Sequence, residues 1–364
     1  MAPQRLQSIG IRGYTSIRSA GVELRDLNVL IGANGAGKSN FISVLALLGR
    51  IVDEELNLFV GQAGGASALL YRGGRSIPEI TLHLTFASYE YRAELIPAAR
   101  DELIFGSESI SAPGDERVLG RGHRETRLFH EPDELDEQDL SSVAEQVVDT
   151  LRGCRVFHFH DTSANAPVKQ TGFASDNIAL HPDARNLAAV LLRLQQEDRA
   201  AYKRIVRTIQ QVAPFFRDFV LVEENGRLRL RWRQEGSDIV FPADALSDGT
   251  LRFICLTTLL SLPDLPNLVV LDEPELGLHP YAIVQLADML RAASRASQVL
   301  IATQSVTLMN QFEVDDLIVV ERDRGASVFN RLAPAGLADW LADYSLGELW
   351  EKNLLGGRPQ AELW

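Results

Sequence analysis

Cysteine is nearly absent from this chain: Cys154 and Cys255 are the two in 364 residues, and both lie in apolar surroundings. Two thiols cannot build a disulfide framework, so a disulfide scaffold is excluded and two core thiols in a reducing compartment are expected. Long apolar runs are missing as well. Stretches such as 253–262 and 268–271 fall short of the roughly 20 residues that cross a bilayer, so no membrane span and no membrane partner are expected. The start, MAPQRLQSIG, has neither an apolar h-region nor an Arg/Ser-rich amphipathic pattern, which makes the cytoplasm the expected location. Basic charge is in deficit, with 36 Lys and Arg against 49 Asp and Glu and a formal charge of -13. Such a surface opposes nonspecific binding to nucleic acid or anionic membrane, so any DNA contact must be local. Internal repeats and low-complexity tracts are also lacking, and the six carboxylates within 131–139 read as a solvated loop.

What is present is the composition of a folded protein, 46% apolar and 23% charged, long enough for one large domain or two modest ones. Strands are expected at 6–11, 22–24 and 27–31, punctuated by Gly10, Gly13 and Gly21. A helix follows from Ser39 to about residue 56, with Phe41, Val44, Leu45, Leu48, Ile51 and Val52 at a 3.6-residue period. A glycine-rich loop spans 61–74, strand alternation runs over 80–96, and 106–138 reads as loop. Helices are expected at 141–151 and, as one continuous element ending at Pro214, at 183–212. Beyond that the pattern alternates: helix 251–260, strand 268–271, helix 281–290, and strands 299–302 and 317–320. That is the signature of an α/β fold around a parallel sheet.

Three motifs carry chemistry. Gly32-Ala33-Asn34-Gly35-Ala36-Gly37-Lys38-Ser39, followed by Asn40, matches a phosphate-binding loop and lies between an apolar strand and a helix. Its glycines let backbone N–H groups converge on phosphate oxygens, Lys38 supplies a point charge, and Ser39 offers a hydroxyl to Mg²⁺. Residues 267–274 form a buried strand ending in two adjacent carboxylates. One acid can hold the metal's water shell while its neighbour faces an attacking water, which makes Asp272 the metal residue and Glu273 the general base. Leu246-Ser-Asp-Gly-Thr250 opens an apolar helix: Ser247 can cap it, and Gly249 leaves room for a γ-phosphate to approach.

The order of these motifs resembles that of the ABC-type ATPases. The series runs from "GANGAGKSN" through a glycine-rich segment containing Gln62, an inserted lobe, "LSDGT" and "LDEPELGLHP" to Thr303-Gln304-Ser305 at a strand end. Segments 1–75 and 240–322 look like the heads of the RecF/SMC-type members, and the whole is similar to stand-alone bacterial "AAA family ATPase" proteins related to the ATPase domain of the OLD family. The resemblance implies an α/β ABC-type P-loop ATPase head made of 1–75 and 240–330, an inserted α+β lobe at 76–239 without a long coiled coil, and a tail at 331–364 packing on the head.

It further implies ATP and Mg²⁺ as cofactors, with Ser39, Asp272 and Gln62 at the metal. Two chains would sandwich two ATP molecules, so that Ser247 and Gly249 of one face the nucleotide held by Lys38 and Ser39 of the other. Gln304 stands where transporter ATPases usually carry histidine; it can hydrogen-bond a γ-phosphate but cannot change charge near neutral pH, which disfavours a transporter subunit. About 60 residues follow Gln304, too few for the nuclease domain of OLD relatives, so a separate effector protein is expected. The role implied is an ATP switch in DNA maintenance or anti-phage defence; an ATP-gated protein-interaction module without DNA is the alternative.

Two further clusters stand outside this series. His158 and His160 lie on one strand face near Asp161 but lack a third ligand, and they are expected to be hydrogen-bonded structural residues rather than a metal site. His279, before Pro280, is expected to pack at a helix start. Arg227, Arg229, Arg231 and Arg233 alternate with Leu228, Leu230 and Trp232, so one strand would present four guanidinium groups on one face. That face is either solvated and acid-paired or a DNA or partner surface.

Overall fold

The computed structural model describes residues 5–129 and 138–357. Its centre is a six-stranded sheet in the order Ala326–Arg331, Leu317–Asp323, Leu27–Ile31, Gln298–Thr303, Leu268–Asp272, Cys154–Phe157, in which all neighbours but the first pair run parallel. The central strands are apolar almost without interruption because both faces are covered. Val29, Ile31, Val269, Leu271, Val299 and Ile301 face helices Leu187–Glu197, Arg199–Val212, Asp248–Leu260 and Pro280–Ala293. Leu30, Val270 and Leu300 face the opposite way, against helix Lys38–Val52 and a second sheet.

That second sheet is antiparallel: Ile17–Glu23, Ser8–Tyr14, Ile80–Thr85, Glu90–Ala98, Glu102–Ala112, Asp115–Gly120. Segment 76–239, the expected inserted lobe, is joined to the head through its strands: the first ones extend the sheet begun by Ser8–Tyr14, and Cys154–Phe157 completes the parallel sheet. One sequence expectation is corrected: 106–138 is not a loop throughout, because Glu102–Ala112 and Asp115–Gly120 are paired strands. Their alternation is hidden in the sequence for a physical reason. The pairing register slips beside Gly106, so the buried phase changes from Leu103 and Phe105 to Glu108 and Ile110. Glu108 is fully buried and reads as a surface residue, yet it accepts from the Tyr91 hydroxyl (2.8 Å), Thr126 Oγ1 (2.5 Å) and the Arg127 amide (2.8 Å) and pairs with His123 Nε2 (3.0 Å).

The expected helix 183–212 is two helices, Leu187–Glu197 and Arg199–Val212. Asp198 leaves the helical conformation between them and caps the second by accepting from the Ala201 amide at 2.9 Å. Cys154 and Cys255 are both buried and unbonded to one another, and burial pushes each thiol up to about 12. The acidic stretch of 131–139 lies, up to residue 137, outside the described residues, as does the end of the tail from 358.

Candidate nucleotide site

Four of the five parallel strands lead, at one edge of the sheet, into segments that carry polar side chains. The register aligns Ile31 with Thr303, Ala302 with Asp272 and Leu271 with Phe157. The residues that follow, Gly32 to Ser39, Gln304, Glu273 and the 158–160 segment, therefore converge although they are spread over some 270 positions of chain. This is the carboxyl edge of a parallel sheet, where ligands of open α/β folds bind.

The phosphate loop is held from two sides. The Ser327 hydroxyl donates to the Ala36 carbonyl (2.6 Å), and Asn40 Nδ2 donates to Ser16 Oγ (2.6 Å). A Cβ at Gly37 would stand 2.1 Å from Ser327 Oγ, so the close approach needs glycine there. Lys38 is 5% exposed, and its Nζ donates to the Gly32 and Ala33 carbonyls at 2.6 and 3.1 Å. Burial lowers its pKa, while Glu273, Asp272 and Glu275 raise it. An ammonium curled under its own loop in this way is a charge poised for a phosphate. Beside the loop, a cavity of about 500 Å³ is lined by Thr15, Ser16, Asn40, Tyr71, Arg72 and Arg322 among others. Arg72 and Arg322 escaped the sequence analysis because neither belongs to a motif.

Asp272 closes its strand, and its Oδ2 accepts from Ser39 Oγ at 3.4 Å. A hydroxyl and a carboxylate held together are an oxygen donor set that fits Mg²⁺, with Ser39 and Asp272 the residues that would hold it. Burial first, and then Glu273, push the Asp272 carboxyl above its usual range, opposed by His158, the bond from Ser39, and His160. Glu273 follows the strand at a positive φ of 44°, a strained conformation for a non-glycine residue, fixed by its amide donating to Ala302 O at 2.8 Å. Its Oε1 accepts from Gln304 Nε2. The sequence pointed to both side chains separately, and the structure joins them.

Glu275 is a residue the sequence analysis passed over. It is 9% exposed, and its Oε1 accepts from Thr303 Oγ1. Thr303 Oγ1 also accepts from the Ser305 amide at 2.9 Å, so Glu275 braces the strand end that carries Gln304. Arg252 was passed over too. Its guanidinium donates to the carbonyls of Leu276 and His160, both at 2.8 Å, and ties helix Asp248–Leu260 to the loops on either side of the carboxylates.

Ser247 caps that helix, its Oγ accepting from the Thr250 amide at 3.2 Å, and it stands exposed. The space at Gly249 is taken by this chain's own loop: a Cβ there would be 2.5 Å from Gly277 O. Neither Ser247 nor Gly249 is bonded to the phosphate loop of the same chain. Gln62 stands exposed at the end of helix Leu56–Gln62, and the structure does not bond it to Ser39 or Asp272. His158 and His160 also lie within electrostatic reach of Asp272, their rings 6.1 Å apart. Among the described residues no group of three or more His, Cys, Asp or Glu is set to hold a metal by itself. His279 does not pack but caps helix Pro280–Ala293, its Nδ1 accepting from the Tyr281 amide at 3.2 Å.

The arginine stripe is not one strand. Arg227 belongs to a two-residue strand and lies over the Phe173 ring, with its guanidinium carbon 5.0 Å from the centroid. Arg229 pairs with Asp244 (2.8 Å), and Arg231, in strand Arg231–Gln234, pairs with Glu224 (3.1 Å). Arg233 is exposed. The alternation holds, with Leu228, Leu230 and Trp232 buried, but two of the four guanidinium groups are ion-paired.

The raised Asp272 carboxyl gives a signed prediction. A carboxyl whose folded pKa lies above its unfolded value favours the fold in acid, and that contribution is lost as pH rises through the folded value. Asp272→Asn should therefore melt above the parent at neutral pH without Mg²⁺, the gap closing as pH falls to the ordinary carboxylate range. Thermal denaturation over a pH series measures it, and a gap independent of pH would refute it.

Comparison with known proteins places this site in a family. Residues 27–310 match the family model described as "AAA domain, putative AbiEii toxin, Type IV TA system". No curated protein matches. Among solved structures, the Smc head bound to the C-winged helix domain of ScpA is similar at 17% identity and a TM-score of 0.55, over 92% of this chain and 99% of that one. The Smc head domain with an extended coiled coil, bound to the C-terminal domain of ScpA and derived from Pyrococcus furiosus, is similar at 15% identity and a TM-score of 0.56, over 93% and 99%. The Smc head domain with a coiled coil and joint from Pyrococcus yayanosii aligns at 14% identity and a TM-score of 0.51, over 93% and 99%. The chain thus belongs to this AAA-domain family and has the ABC-type ATPase fold of SMC heads.

Proposed function

We propose that the protein is a Mg²⁺-dependent ATPase switch in the cytoplasm: two chains close on two ATP molecules, and hydrolysis releases them. The observation that carries this reading is the Gln304–Glu273 pair, set at neighbouring strand ends beside the Ser39–Asp272 pair. The phosphates of ATP lie along the amides from Gly35 to Asn40, with Lys38 turning from its own carbonyls to meet them. Ser39 and Asp272 would hold the metal, which when bound would offset phosphate charge. Glu273 takes the proton of the attacking water, and the Gln304 carboxamide keeps its carboxylate in place. The nucleoside occupies the cavity lined by Tyr71, Arg72 and Arg322. An exposed Ser247 cap, with no phosphate loop of its own chain against it, supports a site completed by a second chain.

Lys38→Ala should lose ATP binding, whereas Glu273→Gln should bind and turn over at least a hundredfold more slowly. Equal turnover in Glu273→Gln would remove Glu273 as the base. Mixing inactive Lys38→Ala with inactive Ser247→Arg should restore part of the activity, because one site of the mixed dimer is intact. No recovery after verified subunit exchange would count against the shared site.

The switch is proposed to serve DNA maintenance or anti-phage defence through a separate effector, with DNA as the surface partner. Ion pairing of Arg229 and Arg231 moves the candidate DNA contact from the stripe to helix Arg199–Val212. Arg199, Lys203 and Arg207 lie four residues apart along one exposed face, and no carboxylate pairs with them among the described residues. No large apolar side chain of that helix stands exposed, as a protein interface core would need. The spacing, about 6 Å of rise per four residues, suits successive phosphates of one strand. Three phosphate contacts give a log-log salt slope near -2.7 per chain. Lys203→Glu with Arg207→Glu should lower that slope by about 1.8 and leave ATPase activity without DNA unchanged. An unchanged slope, or no duplex binding by the parent at low salt with ATP, favours the protein-interaction reading.

A further inference from the structure

The chain returns to the phosphate loop at its far end. Helix Leu346–Glu351 is anchored in the core by Leu346 and Leu349, and the Gly347 amide donates to Asn310 Oδ1 at 2.6 Å. Past buried Leu355 the backbone turns through Gly356 and Gly357 at φ 84° and 85°, a region that favours glycine. There Gly357 O accepts from the Ala33 amide at 2.9 Å, and the Gly357 amide donates to Glu321 Oε1 at 2.7 Å. A Cβ on Gly357 would meet Trp350 Nε1 at 3.1 Å and the Cα of Gly32 at 3.4 Å, so the two backbones touch with no side chain between them.

We propose that this turn is a strap belonging to the nucleotide site, with Glu321 and Gly357 as positioning residues for the phosphate loop. The chain of contacts is short. Glu321 fixes Gly357, and Gly357 fixes the Ala33 amide at the entry of the loop, beside the Gly32 and Ala33 carbonyls that hold Lys38 Nζ until it turns to phosphate. The next residue of the same strand, Arg322, donates from Nη1 to Gly35 O at 3.3 Å, so the strand reaches the loop at both its entry and its tip. Because binding linkage is reciprocal, a strap that favours the loop's ATP-binding conformation is itself tightened by ATP. The proposal rests on the reading of residues 32–39 as the nucleotide loop, and it makes residues 350–357 an element whose order depends on nucleotide.

The test uses the full chain and two variants at one position. Glu321→Ala removes the acceptor of the Gly357 amide, and Glu321→Gln keeps one. ATP binding should weaken roughly fivefold in Glu321→Ala, the loss of about one hydrogen bond, and be restored in Glu321→Gln. Amide exchange over residues 350–357 should slow when ATP is added to the parent and to Glu321→Gln, but not to Glu321→Ala. A merely structural contact would change melting without making tail exchange respond to nucleotide. If Glu321→Ala does not fold, Gly357→Ala takes its place, with the same losses expected from one methyl group. Parent protein that binds ATP while Glu321→Ala binds it equally well, or whose tail exchange ignores ATP, overturns the strap. Parent protein that binds no ATP overturns the nucleotide reading as well.

Discussion

The parallel register of four buried strands is the constraint on which everything else in this molecule depends. Leu27–Ile31, Gln298–Thr303, Leu268–Asp272 and Cys154–Phe157 can run parallel only if long crossovers join them, and the crossovers are the helices that cover both faces. Once that register is set, their carboxyl ends fall in one row. A slip of one residue would turn each buried side chain to the other face, exchanging the Val269 and Leu271 contacts for those of Leu268 and Val270. The packing of apolar residues on two faces is therefore what aligns Lys38, Asp272, Glu273 and Gln304.

The site so assembled is costly to the fold. Lys38 is buried and its charge disfavoured, while burial raises the carboxyls of Asp272 and Glu275. Glu273 adds backbone strain. Hydrogen bonds from elements remote in sequence offset part of this cost: Ser327 and Ser16 on the loop, Thr303 on Glu275, and Arg252 on two flanking carbonyls. A group that is unfavourable without ligand and satisfied with it is how binding energy becomes a change of conformation.

Surface charge follows the same logic of pairing. The chain carries -13 overall, and several of its arginines are met by carboxylates, Arg229 by Asp244 and Arg155 by Asp53 at 2.7 Å among them. On helix Arg199–Val212 no carboxylate pairs with Arg199, Lys203 or Arg207 among the described residues. That helix has no acidic residue of its own, and it packs against helix Asp248–Leu260, to which Arg204 also reaches through Ser261 O. A ligand on the basic face would bear on the helix whose N-terminus carries Ser247.

The amino-acid sequence by itself determined the local chemistry: the loop of residues 32–39, the strand ending in Asp272 and Glu273, the Ser247 cap, and the alternation that buries Leu228, Leu230 and Trp232. Each is written within a few neighbouring residues, where period and turn chemistry act. It left unreadable whatever depends on a partner far along the chain. The bulge at Gly106 and the buried Glu108 concealed two strands, Asp198 divided a helix that periodicity joined, and Glu275 showed no sign of the bond it makes to Thr303. Only the tertiary structure decided that Gln304 meets Glu273, that Arg231 is neutralised by Glu224, and that Gly357 lies against Ala33. Those contacts span from 7 to more than 300 residues, and hydrogen bonds and ion pairs at such separations exist only after the hydrophobic core has brought the backbones together.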